Sequence, residues 1–317
     1  DATGMAEMAE AVRGNRPAIA RRSWPAPCGE EPLVPDALVG ERGAESDWLG
    51  RLRDLCGDRE VVARLPRKRS PSWQEALQRL GMGSPPASSP ASPSASSSAE
   101  GGAMFGDARL GRPYSRVGKA RLNDVIDGFE GDGETRAAGA GAPAQRYVAN
   151  VPVQSVLPEF ARLLRPLERR ISKELGGVLG PTIPGTPVLY LGAHGQRTPL
   201  HFDPTENLTV VLQGTKRFRL FPPLASPLLR PIGGPMAAFA CWAHGVVPAV
   251  YSDVDAWALA GGIDCSPAFA DLVLGPGEAL YLPPGWWHAV SGSQEPNVTV
   301  VFGFAPSEEK GARYFTP

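Results

Sequence analysis

The chain has 317 residues, a length that suits one large or two small domains and leaves room for a sizeable core. Its 32 Lys and Arg balance 33 Asp and Glu to a net charge of −1, which argues against a generally basic nucleic-acid binder and against a polyacidic tail protein. The 42% hydrophobic content excludes disorder of the whole chain, and the 37 Gly and 34 Pro argue against a helical bundle. We therefore predict β-structure with many turns, or substantial loops.

The first part of the chain carries patterns of both helix and strand. Residues 5–12 form an amphipathic start, residues 15–23 are a short segment of apolar and polar residues, and residues 46–56 have a helical pattern. The run RLPRKRS at 64–70 concentrates four cations. A solvated surface is the main interpretation of this run, and contact with an acidic partner is the alternative. We predict an α/β portion over residues 1–145.

Two flexible insertions are expected within this portion. Residues 84–98 contain only Ser, Pro and Ala, which bury too little apolar area to offset the entropy of ordering them. This composition predicts a mobile insertion over residues 84–99. Residues 131–145 (GDGETRAAGAGAPAQ) are rich in Gly and Ala and predict a second flexible connection.

A helix is predicted over residues 158–175. Its apolar residues recur at helical spacing, with prolines at plausible first-turn positions. They are Phe160, Leu163, Leu164, Leu167, Ile171 and Leu175. Pro166 lies inside the pattern and is a candidate break of the helix.

From residue 187 onward, short runs rich in Val, Leu, Tyr and Phe alternate with turn residues. The runs are residues 188–192, 208–214, 216–221, 271–284 and 297–304. The step QGT at 213–215 predicts a hairpin, and GPG at 275–277 predicts another tight turn. Such a pattern indicates an antiparallel barrel or jelly roll. Residues 222–270 lack periodicity and predict a long excursion from the barrel.

The spacing of the cysteines and the length of the apolar runs indicate in which cellular compartment the protein is found. Cys28, Cys56, Cys241 and Cys265 are far apart and form no CxxC, so neither a zinc ribbon nor a disulfide framework is indicated. No apolar run reaches the roughly 18 residues that cross a membrane, and the N-terminal residues lack a signal-peptide core. We expect a cytoplasmic or nuclear protein with no membrane partner.

The informative polar pattern is His201-Phe202-Asp203 together with His288. Side chains at i and i+2 of a strand point the same way, so His201 and Asp203 can reach one metal ion. Two histidines and one carboxylate form the facial triad of non-haem Fe(II) oxygenases. A hydrogen-bonded His–Asp pair with a structural purpose is the alternative for the HFD motif alone. We call His201, Asp203 and His288 the triad.

Thr198 and Lys216 lie close to this motif in the sequence. A lysine inside a barrel needs an anionic partner, because desolvating an unpaired ammonium is costly. A hydroxyl and an ammonium beside a metal suit a dicarboxylate that is bound at both ends. His194 is predicted to be a surface residue, with the active-site rim as the alternative, and His244 to be structural or to face the substrate. Trp286 and Trp287 are predicted to pack at the barrel mouth, with a place beside the substrate cleft as the alternative for one of them.

Residues 198–223 (TPLHFDPTENLTVVLQGTKRFRLFPP) and 275–290 (GPGEALYLPPGWWHAV) resemble the JmjC-domain, cupin-like Fe(II)/2-oxoglutarate oxygenases. The resemblance is to the small hydroxylase branch typified by factor inhibiting HIF and the JmjC lysyl hydroxylases. It is specific over 187–306 and looser from residue 15. It implies a mainly β fold, a double-stranded β-helix (jelly roll) with N-terminal α/β elements and flanking helices. One domain is then expected over 1–317, with the helix and jelly-roll core in 146–317.

The resemblance also implies a role for each site residue. The triad, His201, Asp203 and His288, would ligate Fe(II) and form the catalytic centre. Thr198, Lys216 and Tyr147 would hold the distal carboxylate of 2-oxoglutarate, and Asn207 would lie near its metal-proximal carboxylate.

The implied activity is an Fe(II)- and 2-oxoglutarate-dependent dioxygenase that hydroxylates a protein side chain and releases succinate and CO2. The alternatives are an RNA-modifying hydroxylase of the same fold, a histone lysine demethylase and a catalytically silent cupin-like binding module. We expect a protein or peptide partner. The neutral charge balance disfavours nucleic acid, although the cations of 64–70 keep it open. A homodimer is also open, because this branch often dimerises through C-terminal elements. The chain ends soon after the last predicted strand, however, so we do not expect an appended C-terminal dimerisation bundle.

Overall fold

The computed structural model describes residues 5–21, 32–39, 47–66, 115–137, 147–193, 195–231, 250–252, 254, 256–257 and 270–306. Within these ranges the strands form two antiparallel sheets, one large and one small. The two sheets face each other across a shared apolar cluster. The prediction of a mainly β jelly roll is confirmed.

The strands and helices have the following bounds. The strands are β1 (Ala18–Ala20), β2 (Glu60–Pro66), β3 (Ser115–Arg121), β4 (Tyr147–Pro152), β5 (Val188–Gly192), β6 (Arg197–Phe202), β7 (Glu206–Gln213), β8 (Lys216–Phe221), β9 (Val250–Tyr251), β10 (Ala270–Leu274), β11 (Ala279–Leu282), β12 (Trp287–Gly292) and β13 (Asn297–Phe304). The helices are α1 (Met5–Arg13), α2 (Asp36–Val39), α3 (Trp48–Cys56), α4 (Leu122–Ala137), α5 (Val153–Val156), α6 (Pro158–Leu175) and α7 (Ser226–Leu229). The large sheet has the strand order β1-β11-β7-β13-β5-β4-β2-β3, and the small sheet has the order β10-β8-β12-β6-β9.

Alternation along the strands separates two apolar layers. In β7, Leu208, Val210 and Leu212 belong to the cluster that the large sheet shares with the helices, which we call the outer core. Val211 points the opposite way, into the cluster between the sheets, which we call the inner cluster. The inner cluster consists of Ile19, Val211, Phe218, Leu220, Leu274, Leu280 and Leu282. Side chains on this face therefore line the barrel interior.

The helices cover the outer face of the large sheet. The predicted helix over 158–175 is confirmed as α6, whose apolar stripe enters the outer core. The stripe consists of Phe160, Leu164, Leu167, Ile171 and Leu175. Pro166 lies within α6 on its exposed side and does not end it. Burial of the stripe holds the helix together, although the proline removes one backbone donor.

The N-terminal expectations are met in part. The patterns at 5–12 and 46–56 are confirmed as α1 and α3, and Asp47 caps α3 by accepting a hydrogen bond from the backbone N–H of Gly50 at 2.8 Å. The segment at 15–23 supplies β1. The prediction of a flexible connection over 131–145 is wrong for 131–137, which continue α4. One face of α4 is buried in the outer core through Val125, Ile126 and Phe129. This burial fixes the first turns of the helix, and the later turns continue from them. Residues 84–99, 138–145 and 67–70 lie outside the described residues.

The hairpin predicted at 213–215 is wrong. The preceding strand β7 belongs to the large sheet and the following strand β8 to the small sheet, so the turn crosses between the sheets. The turn at 275–277 makes the return crossing, from β10 to β11. Gly214 and Gly277 supply the positive φ angles of +68° and +82° that these turns need. Local turn chemistry does not distinguish a hairpin from such a crossing, because the pairing partners are distant in sequence.

The described residues of the excursion over 222–270 lie against the barrel. A 3-10 turn (Pro223–Ala225), α7 and β9 bring it back, and β9 pairs with β6 at the edge of the small sheet. Leu229 and Val250 pack against Leu200, Phe202 and Trp287 on the outer face of that sheet. No helix in the described part of the chain is both long enough and apolar enough to span a membrane. The boundaries of a single domain over 1–317 stay a prediction.

Candidate metal centre and co-substrate pocket

The triad residues come together on two neighbouring strands of the small sheet. His201 lies near the end of β6, Asp203 follows that strand, and His288 is the cross-strand partner of His201 on β12. The ligand atoms of the three side chains all lie within 4.8 Å of one another. Phe202, between the two ligands of the HFD motif, points the other way and contacts the Trp287 ring. The structure therefore assembles the side chains that the sequence pattern selected.

Backbone carbonyls orient both histidine rings. The Nδ1 atom of His201 lies 2.8 Å from the carbonyl oxygen of Pro199, and that of His288 lies 3.0 Å from the carbonyl oxygen of Trp286. A carbonyl only accepts, so in each ring Nδ1 is the donor to the carbonyl and Nε2 is the nitrogen left to bind a metal. The Nε2 atom of His288 lies 3.8 Å from Oδ2 of Asp203. Nε2 is thus the candidate metal ligand of each ring.

Burial keeps His288 uncharged. Burial and the nearby His201 together lower the pKa of His288 to about 4, against the opposing effects of Asp203 and of the hydrogen bond to the Trp286 backbone. An imidazole with this pKa is neutral at physiological pH. Metal binding therefore needs no deprotonation of His288.

Asn207 orients the carboxylate of the triad. Its Nδ2 atom donates to Oδ2 of Asp203 at 2.8 Å, while its Oδ1 atom accepts from the hydroxyl of Thr205 at 3.1 Å. The amide is therefore fixed from both ends. The sequence placed Asn207 near the metal-proximal carboxylate of a co-substrate, and the structure places it beside Asp203, where it acts on a triad ligand directly.

The donor set fits a ferrous ion. Two imidazole nitrogens and one carboxylate oxygen reach a common point, and all three are mutually close enough to bind one ion. A facial set of this composition is typical of non-haem Fe(II) sites with open coordination positions. In the described residues, no second carboxylate joins the cluster.

Lys216 lies deeper in the barrel and lacks a carboxylate partner among the described residues. It begins β8, is 4% exposed, and its Nζ atom lies 5.2 Å from the centre of the Tyr190 ring. Burial lowers the pKa of Lys216 to about 7. An anion bound beside it would restore the charge, so this position fits one end of a dicarboxylate.

The other predicted co-substrate contacts surround Lys216. Thr198 is the cross-strand partner of Val290 on β12 and lies on the same face, toward the inner cluster. Tyr147, at the start of β4, is buried, and its ring centre lies 6.1 Å from that of Tyr190. The structure thus brings Thr198, Lys216 and Tyr147 toward the same part of the barrel interior.

Two tyrosines of the site were missed by the sequence analysis. Tyr190 lies between Tyr147 and Lys216, and its hydroxyl donates to the side-chain oxygen of Asn150. Burial raises its pKa well above the usual range. Alternation within VLYLG, with Leu189 and Leu191 in the outer core, was a usable signal for Tyr190.

The second missed residue is Tyr251, on β9. Its ring is stacked on the ring of His201, with centres 5.3 Å apart and planes 22° apart, and it is 36% exposed. Tyr251 belongs to the aperiodic excursion, so no local pattern pointed to it. An aromatic ring from the excursion thus borders the triad.

A pair of amides lies near Lys216, against Gly292, its cross-strand partner on β12. The side chains of Gln196 and Asn297 hydrogen-bond to each other at 3.1 and 3.4 Å, and both are buried. We call this pair the amide plug. Gly192 and Gly292 make room for it, because a Cβ atom at these positions would lie 2.5 and 2.1 Å from the Gln196 side chain.

The remaining predicted residues have mixed outcomes. Trp287 is fully buried, and its Nε1 atom donates to the hydroxyl of Ser226 at 2.8 Å, so it is a packing residue. Trp286 packs against the inner cluster. His194 and His244 lie outside the described residues.

Comparisons with known proteins agree with this geometry. Residues 31–310 match the family described as cupin-like domain. Jumonji C domain-containing protein 5 of Drosophila melanogaster is 33% identical over 113 residues, 36% of this chain and 26% of the relative. HSPB1-associated protein 1 of Mus musculus is 30% identical over 118 residues, which are 35% of this chain and 22% of the relative. Lysine-specific demethylase JMJ30 of Arabidopsis thaliana is 33% identical over 101 residues, which are 32% of this chain and 22% of the relative.

The chain therefore aligns with about a quarter of each relative's length. Of these three names, one states a demethylase activity and none states a hydroxylase, so the narrower resemblance to the hydroxylase branch stays a prediction. At the level of the family, the relatives point to an oxidoreductase, and JmjC proteins typically use Fe(II) and 2-oxoglutarate. With its family match over 31–310 and its Jumonji C relatives, the chain belongs to the cupin-like JmjC domain family.

Proposed function

We propose that this chain is an Fe(II)- and 2-oxoglutarate-dependent dioxygenase that hydroxylates a side chain of a protein substrate. The observation that carries the proposal is the shared placement of two features in one barrel. A cluster of two histidines and one carboxylate lies near the end of β6, and a buried lysine without a carboxylate partner among the described residues lies deeper on the same inner face. A metal-chelating dicarboxylate satisfies both features at once.

His201, Asp203 and His288 are the proposed iron ligands. Iron bound there supplies the oxidative chemistry, in which dioxygen-dependent decarboxylation of 2-oxoglutarate to succinate and CO2 is coupled to oxygen insertion into a C–H bond. The protein keeps the ligands ready for the metal. The carbonyls of Pro199 and Trp286 hold the imidazoles in the tautomer that leaves Nε2 free, and Asn207 holds the carboxylate of Asp203.

Lys216, Thr198 and Tyr147 are the proposed contacts of the distal carboxylate of 2-oxoglutarate. An ammonium provides the charge and hydroxyl groups provide directed hydrogen bonds, which together distinguish a carboxylate from a neutral group. When the anion binds, Lys216 takes up a proton, because the carboxylate raises the pKa that burial had lowered to about 7. Asn207 is proposed to contribute near the metal-proximal carboxylate through its fixed amide.

Hydroxylation is proposed over demethylation on the chemistry of the site. A demethylase must also accommodate a methylammonium, for which carboxylates and several aromatic rings are suitable partners. Beside the triad, the described residues provide one exposed aromatic ring, that of Tyr251, and no additional carboxylate in the cluster. Demethylation is the second candidate, because one relative is named as a lysine-specific demethylase.

The test incubates the chain with Fe(II), 2-oxoglutarate and a peptide mixture that includes methyl-lysine peptides. Succinate release measures turnover, and mass spectrometry identifies the product. A gain of one oxygen atom on an unmethylated side chain supports the proposal, whereas loss of methyl groups selects the demethylase. The Asp203→Ala variant is the control for contaminating activity. Absence of succinate release with every peptide and without peptide, by a chain that binds metal, would refute both candidates.

A further inference from the structure

The hydroxyl of Thr299 is a buried polar group that no described residue satisfies. Thr299 lies in the middle of β13 and is 0% exposed, and its Oγ1 atom has no hydrogen-bond partner in the part of the chain that the structure describes. Buried hydroxyls in native proteins nearly always have a hydrogen-bond partner, because a hydroxyl that is buried without one bears the full free-energy cost of its desolvation. An orphaned donor at this position needs an explanation.

The side chain of Thr299 points into the barrel. Its neighbours Val298 and Val300 belong to the outer core, so alternation turns Thr299 toward the opposite face. Its cross-strand partner on β7, Val211, belongs to the inner cluster. The hydroxyl therefore faces the interior between the two sheets, not the helices.

Thr299 and Lys216 are both neighbours of Tyr190. Tyr190 on β5 is the cross-strand partner of Thr299, and directly opposed side chains on one face have Cβ atoms about 4.5–5.5 Å apart. The Nζ atom of Lys216 lies 5.2 Å from the centre of the same Tyr190 ring. A hydroxyl donor without a partner and a buried ammonium thus border one small part of the barrel.

We propose that the hydroxyl of Thr299 donates a hydrogen bond to the distal carboxylate of the co-substrate, beside Lys216. The inference rests on the proposed function, because it takes 2-oxoglutarate as the ligand. One carboxylate has several acceptor positions, so it accepts from the ammonium and from the hydroxyl together. The cost of leaving Oγ1 unsatisfied in the free protein is then offset when the co-substrate binds.

The test compares Thr299→Val with the unmodified chain by isothermal titration of 2-oxoglutarate into Mn(II)-loaded protein. Valine has the same shape and no hydroxyl, so we expect affinity to fall about tenfold, as for a lost hydrogen bond to a charged group. The melting temperature of the free protein should rise by about 2–4 °C, because an unsatisfied donor is removed. Thr299→Ser keeps the hydroxyl and should retain near-normal affinity.

Pyruvate is the matched control ligand, because it keeps the chelating end of 2-oxoglutarate and lacks the distal carboxylate. Thr299→Val should bind pyruvate as the unmodified chain does. The proposal would be overturned if Thr299→Val lost affinity for 2-oxoglutarate and pyruvate equally, or if its affinity for 2-oxoglutarate were unchanged. A buried water would then be the partner of Oγ1. Thr299→Ala gives the same comparison if the valine variant does not fold. Failure of the unmodified chain to bind 2-oxoglutarate would instead overturn the proposed function.

Discussion

Replacing Lys216 with methionine should stabilise the free protein and remove its affinity for 2-oxoglutarate. Burial lowers the pKa of Lys216 from 10.5 to about 7, and one pKa unit corresponds to about 1.36 kcal/mol. Near pH 7, the free fold therefore bears a penalty of about 4–5 kcal/mol relative to an unfolded chain with a solvated lysine. Methionine keeps an unbranched stem of similar length and has no charge to desolvate. We expect a gain of about 2–4 kcal/mol in the free energy of unfolding.

The sign of the effect follows from the direction of the pKa change. A lysine with a lowered pKa in the fold destabilises it fully below about pH 7, and the penalty disappears as pH rises toward 10.5. The difference in stability between Lys216→Met and the unmodified chain should therefore shrink over that interval. Urea unfolding, monitored by tryptophan fluorescence, measures this difference in the free energy of unfolding, and titration calorimetry measures 2-oxoglutarate binding.

Lys173→Met is the matched control, because the Lys173 side chain is 74% exposed. It should change the free energy of unfolding by no more than about 0.5 kcal/mol and leave binding unchanged. A Lys216→Met protein that is less stable near neutral pH and still binds 2-oxoglutarate would refute the reasoning. Lys216 would then be an ordinary packing residue with a partner of its own.

Three further predictions concern the metal, the pH dependence and the amide plug. Asp203→Ala should lower Mn(II) affinity at least about tenfold in calorimetry without changing the melting temperature, and equal Mn(II) affinity would contradict the triad assignment. Affinity for 2-oxoglutarate should fall by up to about tenfold per pH unit above pH 7, as free Lys216 loses its proton, and a flat profile would exclude this linkage. Gly292→Ala should cost about 1–3 kcal/mol in urea unfolding, because its Cβ atom would lie 2.1 Å from Oε1 of Gln196. Gly177→Ala, whose Cβ atom would meet nothing within 4 Å, is the control and should be neutral.

The triad was predictable because its geometry is largely local. His201 and Asp203 are two residues apart at the end of a strand, so the pleat alone places them on one side. His288 needed the resemblance, since its pairing with His201 spans the long excursion. The boundaries of β5 and β13 were also predictable, because dense runs of Val, Leu and Phe end at turn residues.

The parts that failed depend on distant partners. The turn at 213–215 has the residues of a hairpin, yet which sheet each flanking strand joins is decided by β11, β13, β10 and β12. Tyr251 could not be found, because its position on His201 depends on the pairing of β9 with the edge strand β6. Residues 131–137 continue α4 because its earlier turns are anchored by burial, which outweighs the low helix propensity of glycine.

The amide plug lies against Gly292 of β12, four residues from His288 of the triad. Gln196 and Asn297 are buried there, next to the cross-strand partner of Lys216, so we expect a molecule that reaches Lys216 to enter from the end where the triad lies. Under the proposed function, a protein substrate seated over the triad would cover that entrance. The co-substrate must then arrive first, and succinate must leave after the modified protein has gone. Under the proposed function we therefore expect a compulsory order in the reaction cycle, and slower turnover when an excess of protein substrate occupies the entrance of the empty enzyme.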